Sequence, residues 1–224
     1  ADRLALPGIN AVVDLFAYPW PWPDNHFHFI YCSHVAEHIP HEQHITAPPS
    51  FGKAAALPVG RAASQTHDDE VTRSAYSVWI ERRRRVDGLD GFFAFYAEAW
   101  RVLRMGGTIY TEVPYGTSFG AMQDPTHTRF IVAPTLSYLL RQKGETFDYQ
   151  LPFAWEVSDG VVYGLHPAYS GRPFEEVYEE AQHHVDVIQT MSWTMRKIPL
   201  EQGPHSRDAD EQPIALPGGL SGLT

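Results

Sequence analysis

The sequence predicts an α/β fold, one sheet layered by helices. Three observations carry this. Phe27–Cys32 (FHFIYC) is a β-rich run with helical signals straight after it. Gly91–Met105 is an amphipathic helix that passes through Gly106-Gly107 into a second β-rich run, Thr108–Val113, and such an exit is half of a βαβ crossover. The remaining order, helix then strands, keeps the two element types interleaved. With 224 residues, 43% hydrophobic and 20% charged, the chain has the length for one domain with a substantial core and the composition of a folded globular protein.

The elements follow in order. Asp2-Arg3 opens the chain, Pro7-Gly8 reads as a turn, and Ile9–Leu15 reads as a short strand rich in β-branched residues. The prolines of Pro19–Pro23 (PWPWP) remove donors and fix φ, which excludes regular structure, and Asp24-Asn25 supplies a turn. Phe27–Cys32 is apolar enough to be buried on both faces, as parallel strands are. Ser33–Ile39 starts as a helix and stops at Pro40. The Ala/Pro/Gly/Ser-rich stretch 47–66 has no period and reads as a loop insertion.

A polar helix over Asp68–Val86 carries Arg82–Arg85, read as solvated cations at a helix end rather than a phosphate site. In Gly91–Met105, Phe92, Tyr96, Ala99 and Leu103 recur at helical spacing, Phe95 and Val102 widen the apolar face, and Gly106-Gly107 is the expected stop. Pro134–Gln142 reads as a short helix, Phe153–Val162 and Val185–Lys197 as strands, and Glu175–His184 as a helix feeding the last strand. Residues 201–224 read as a flexible Gly/Pro/polar tail.

Charge and cysteine usage narrow the function classes. Twenty-seven acids against 17 Lys+Arg give a net charge of −10, which disfavours a nucleic-acid partner held through phosphates. The lone Cys32 excludes an internal disulfide and suits a reducing, cytoplasmic setting. No run of 18 apolar residues is present, so no membrane-spanning helix is expected. Pro7, Gly8, Asn10 and Asp14 break the first apolar stretch, unlike the core of a signal peptide.

Ligands of open α/β sheets bind outside the carboxyl ends of the strands, which picks out Asp2, Asp14-Leu15, Cys32–His38 and Glu112–Tyr115. An Asp there can accept from two sugar hydroxyls or an exocyclic amine, or simply close an Asx turn. The series is more telling than its members. It comprises Asp2, then Val12-Val13-Asp14-Leu15, then Pro21-Trp22-Pro23-Asp24-Asn25-His26-Phe27, then Ser33-His34-Val35-Ala36-Glu37-His38-Ile39. Glu98-x-x-Arg101-Val102-Leu103-x-x-Gly106-Gly107, Thr111-Glu112-Val113-Pro114-Tyr115 and Asp124-Pro125-Thr126-His127 follow.

Over most of residues 2–200 this series resembles a class I S-adenosylmethionine-dependent methyltransferase. The resemblance implies a Rossmann-like sheet, mostly parallel and closed by a C-terminal antiparallel hairpin, with 1–200 as the domain. It implies S-adenosyl-L-methionine as methyl donor and a small-molecule or macromolecular acceptor, with no metal needed. Asp2 would hold the ribose, Asp14 and Leu15 the adenine, and Ser33 and His34 would lie beside the sulfonium and its methyl. His34 and His127 would be the catalytic residues, and Tyr115 and Asp124 would line the acceptor. The family's Gly-rich loop would precede Asp2, where only Ala1 stands, so the expectation is a sheet lacking its first strand, in either a fragment of a longer product or a truncated relative.

Two rival readings use the same residues. His34-x-x-Glu37-His38 matches the H-x-x-E-H pattern of inverted zinc metallopeptidases, with Glu98 or Glu112 available as a third ligand. A methyltransferase-like scaffold that binds a partner and catalyses nothing is the other. At single positions, Asp124-Pro125 also fits a helix start, His127 a hydrogen bond to a nearby carbonyl, and Tyr115 rim packing.

Overall fold

The computed structural model describes residues 13–45, 75, 77–140 and 151–200. Asp2, the 47–66 loop and the 201–224 tail lie outside them. Strands β1 (Ala17–Tyr18) and β3 (His44–Ile45) form a short parallel ladder of their own. The main sheet contains β2 (Phe27–Ser33), β4 (Leu103–Pro114), β5 (Trp155–Leu165) and β6 (Ile188–Lys197), in the order β2-β4-β6-β5. β2 and β4 run parallel, whereas β6 is antiparallel to both β4 and β5. The sheet is therefore a parallel pair closed by an antiparallel one, the α/β arrangement with a terminal hairpin that the sequence predicts. No helix among the described residues is long and apolar enough to cross a membrane.

The helices are α1, which runs through residues 77–84, α2 (Gly91–Val102), α3 (Phe119–Met122), α4 (Ala133–Leu136) and α5 (Phe174–Glu180). In α2 the Asp90 carboxylate accepts from Phe92 N at 2.8 Å, capping the first turn. Its Phe92, Phe95, Tyr96, Ala99 and Val102 are buried in the core with Cys32, Ile109, Val113 and Trp193 of the sheet.

The helix ends before the glycines predicted to stop it. Arg101 O accepts from Asn25 N at 2.9 Å and Val102 O from His26 N at 2.7 Å, so the chain entering β2 satisfies the terminal carbonyls. Leu103 is already extended and pairs with Phe27. Gly106, at φ 75°, instead lies inside β4, where Leu103 to Thr108 oppose only Phe27 to Phe29. That irregularity needs left-handed backbone, which Gly adopts without steric cost.

Four other elements differ from expectation. Residues 13–16 form a turn rather than the end of a strand: Ala17 N donates to Asp14 O, and Phe16 N to the Asp14 carboxylate. Strand pairing begins at Ala17. The helix expected over Ser33–Ile39 is one 3₁₀ turn, Ala36–His38, bounded by left-handed backbone at His34 and by Pro40. β2 is not buried on both faces. Phe29 and Tyr31 are 54% and 66% exposed on one face, whereas Ile30 and Cys32, on the other, reach the core. The helix expected at Pro134–Gln142 is only α4, after which Leu140 bridges to Trp155.

A buried ion pair ties the Trp-rich segment to α2. Glu98 Oε1 accepts from Arg101 Nε, and Oε2 accepts from Arg101 Nη2 and Trp20 N, all at 2.7 Å. Arg101 also donates to Trp22 O, Asp24 Oδ1 and Trp20 O. Both residues are about 1% exposed. Gly91 has no room for a Cβ against the carbonyl of Pro40, and this close approach seats the 3₁₀ turn on the start of α2.

Candidate functional site

The carboxyl ends of β2 and β4 lie side by side, with Ser33 opposite Glu112. His34 N donates to Glu112 O at 2.9 Å, and the residue turns the chain at φ 54°. Its imidazole is 53% exposed, with Nδ1 3.3 Å from Oε1 of Glu37. Glu37 itself is 1% exposed, and neither carboxylate oxygen has a hydrogen bond of good geometry. Burial, aided by the Glu37 charge, pushes the Cys32 thiol up to about 12. Tyr115, just past β4, lies in the core beside Tyr163, and burial pushes its hydroxyl up to about 12.

The segment after α3 is stapled onto the 3₁₀ turn. Thr128 N and Arg129 N both donate to Glu37 O, Thr128 Oγ1 and Arg129 Nε donate to Ile39 O, and Arg129 Nη2 reaches Pro40 O and Asp90. Asp124 Oδ1 accepts from Thr126 N at 2.8 Å and from Thr126 Oγ1 at 2.7 Å, and these bonds hold its carboxyl below the ordinary range. His38 Nδ1 lies 3.1 Å from Thr126 Oγ1 and 3.3 Å from Thr126 O. His127, 7% exposed, has Nδ1 2.8 Å from Ala121 O and Nε2 3.8 Å from Asp124 Oδ2. Its ring lies 4.7 Å from that of His38, edge to face.

The structure thus links His34, Asp124 and His127 through Glu37 and His38, at the end of the sheet that also carries Ser33 and leads to Tyr115. Asp14 and Leu15 lie in the turn before β1. Asp14 Oδ2 is 3.4 Å from His44 Nδ1, and Leu15 O accepts from Trp20 Nε1 at 2.9 Å. Sequence reasoning assigned Glu37 and His38 no part in methyl transfer. The available signal was that both motifs, Ser33–Ile39 and Asp124–His127, pair a carboxylate with an imidazole, but only the tertiary stapling brings them together.

The metallopeptidase pattern needs His34 and His38 on one face of an α-helix. Only Ala36–His38 forms a 3₁₀ turn and His34 precedes it in left-handed backbone, so His34 and His38 share no helix face and the His34 ring meets Glu37 instead. Of the ligands held in reserve, Glu98 has both oxygens engaged by Arg101 and Trp20, and Glu112 accepts from Tyr110 Oη at 3.1 Å.

No protein-family model matches the sequence, and no curated protein matches it. Solved structures do align with the chain. The crystal structure of the cyclase SpnF is 13% identical, with 84% of this chain and 55% of that one covered and a TM-score of 0.39. A SAM dependent methyltransferase from Archaeoglobus fulgidus is 15% identical, with 79% and 62% covered and a TM-score of 0.34. Loganic acid methyltransferase with SAH is 13% identical, with 80% and 63% covered and a TM-score of 0.36. The chain spans between 55% and 63% of the length of these three proteins.

Proposed function

We propose that the chain serves S-adenosylmethionine-dependent methyl transfer, with the reacting centre at the carboxyl ends of β2 and β4. The supporting observation is the Ser33-His34 corner. There an exposed imidazole, turned out by left-handed backbone, has Nδ1 3.3 Å from Oε1 of the buried Glu37 carboxylate. The motif series that resembles the family runs through this same corner and continues into β4.

The donor set fits the group. A sulfonium needs no acid or metal to make its methyl group electrophilic, so the protein's part is to orient donor and acceptor, exclude water and take one proton. In this reading Ser33 and the backbone of the corner border the transferring methyl. His34, whose Nδ1 faces the Glu37 carboxylate, would receive the acceptor's proton at Nε2. The Asp14 carboxylate, which accepts from Phe16 N and lies 3.4 Å from His44 Nδ1, would hold the adenine end. Tyr115 and Asp124 border the acceptor. His127, nearly buried and tied at Nδ1, positions the 124–129 segment rather than moving a proton.

Isothermal titration of the full chain with S-adenosylhomocysteine tests this. The expected result is saturable one-to-one heat, weakened about tenfold or more in Asp14→Ala, the equivalent of one charge-assisted hydrogen bond. His34→Gln should bind the ligand normally and lose turnover. Absence of heat at millimolar ligand refutes the proposal.

A further inference from the structure

We propose that Glu37, His38 and His127 form a three-ligand site for a divalent transition-metal ion of the zinc class. Each offers one ligand atom, and these atoms lie within 4.8 Å of one another, the one such cluster among the described residues. The inference goes beyond methyl transfer and does not depend on it.

Three independent features point to a cation. The first is Glu37, a carboxylate 1% exposed whose oxygens make no hydrogen bond. Burying a carboxylate without partners opposes folding unless a counter-charge joins it. His34 Nδ1 approaches Oε1 to 3.3 Å outside hydrogen-bond geometry, which leaves Oε2 open. The second is the pinning of both imidazoles at Nδ1: His127 on Ala121 O, and His38 beside Thr126 O and Oγ1. A ring that donates Nδ1–H to a carbonyl presents its Nε2 lone pair outward, the arrangement found around metal-bound histidines. The third is rigidity. Thr128 and Arg129 lock the two contributing segments together through Glu37 O, Ile39 O and Pro40 O.

The ligand set chooses the ion class. Two imidazole nitrogens and one carboxylate oxygen suit Zn²⁺, Co²⁺ or Fe²⁺, whereas Mg²⁺ and Ca²⁺ take oxygen ligands. Three protein ligands leave a coordination position open. Asp124 Oδ2, 3.8 Å from His127 Nε2, adds a second negative charge at the margin, while Oδ1 is held by Thr126. Tetrahedral ligand atoms at zinc lie about 3.4 Å apart, so loading draws the three side chains slightly inward.

The test uses the full chain, stripped with a chelator and titrated with Zn²⁺ against a chromophoric competitor. One tight site per chain is expected, with Glu37→Gln and His127→Gln each weakening it by at least about 100-fold, the upper end of what loss of an outer-shell partner costs. His34→Ala and His41→Ala should leave it within about threefold. In case a ligand variant fails to fold, X-ray absorption at the zinc edge of the wild type should count two imidazoles and an oxygen, with no sulfur. No stoichiometric Zn²⁺, several weak sites on exposed histidines, a bound sulfur, or loss of binding in His34→Ala each overturns the proposal.

Discussion

Replacing Glu98 by alanine removes the carboxylate that accepts from Arg101 Nε, Arg101 Nη2 and Trp20 N, each at 2.7 Å. The guanidinium it leaves behind is about 1% exposed, and its remaining counter-charge is Asp24, which is 35% exposed. Breaking a buried pair by deleting one partner costs about 3–5 kcal/mol, because the surviving charge stays buried. The orphaned Trp20 N–H falls within that figure rather than adding to it. Since a domain of this kind has about 5–15 kcal/mol in hand, Glu98→Ala should lose a large share of its stability.

Urea unfolding followed by tryptophan fluorescence reads this directly, since Trp20 and Trp22 border the pair. The midpoint should fall with little change in slope. A companion, Glu98→Leu with Arg101→Met, removes both charges together and should cost clearly less than the sum of the single changes. A Glu98→Ala loss below about 1 kcal/mol, or strict additivity in the pair, would refute the reasoning.

Two further outcomes follow from buried titratable groups. Burial pushes Lys197 down to about 8, although its ammonium donates to Asn25 Oδ1 and Leu103 O and lies over the Trp100 ring. The unfolded lysine keeps its proton to about 10.4, so between these values the unfolded state binds more protons and this residue's contribution to stability rises with pH. Wild type should therefore gain on Lys197→Met between pH 8 and pH 10 in paired urea midpoints, and parallel pH profiles would contradict it. Cys32, its thiol pushed up to about 12 and buried, should resist iodoacetamide at neutral pH until the chain unfolds. Rapid alkylation of the native protein would show the thiol to be accessible.

The parts legible in the sequence were those with a local cause. The apolar stripe of α2 and the β-rich runs of β2, β4 and β6 follow from periodicity, and each appears where expected. Their boundaries did not, because distant residues set them. α2 stops at Val102 since Asn25 and His26 cap its carbonyls, which frees Gly106 to shape β4 instead. The β1–β3 ladder was invisible because two-residue strands leave no pattern, and the exposure of Phe29 and Tyr31 depends on what packs on their face of the sheet. At the site, the Ser33-His34 corner was legible as a strand end. The joining of Glu37 and His38 to His127 was not, since it arises from backbone bonds between segments far apart in the chain.

Amide chemical-shift mapping on the isotope-labelled full chain, titrated with S-adenosylhomocysteine, tests the central claim most directly. The account predicts saturable shifts at Ser33 and His34 and along Glu112–Tyr115. Shifts confined to β5 and β6, or none at saturating ligand, would contradict it.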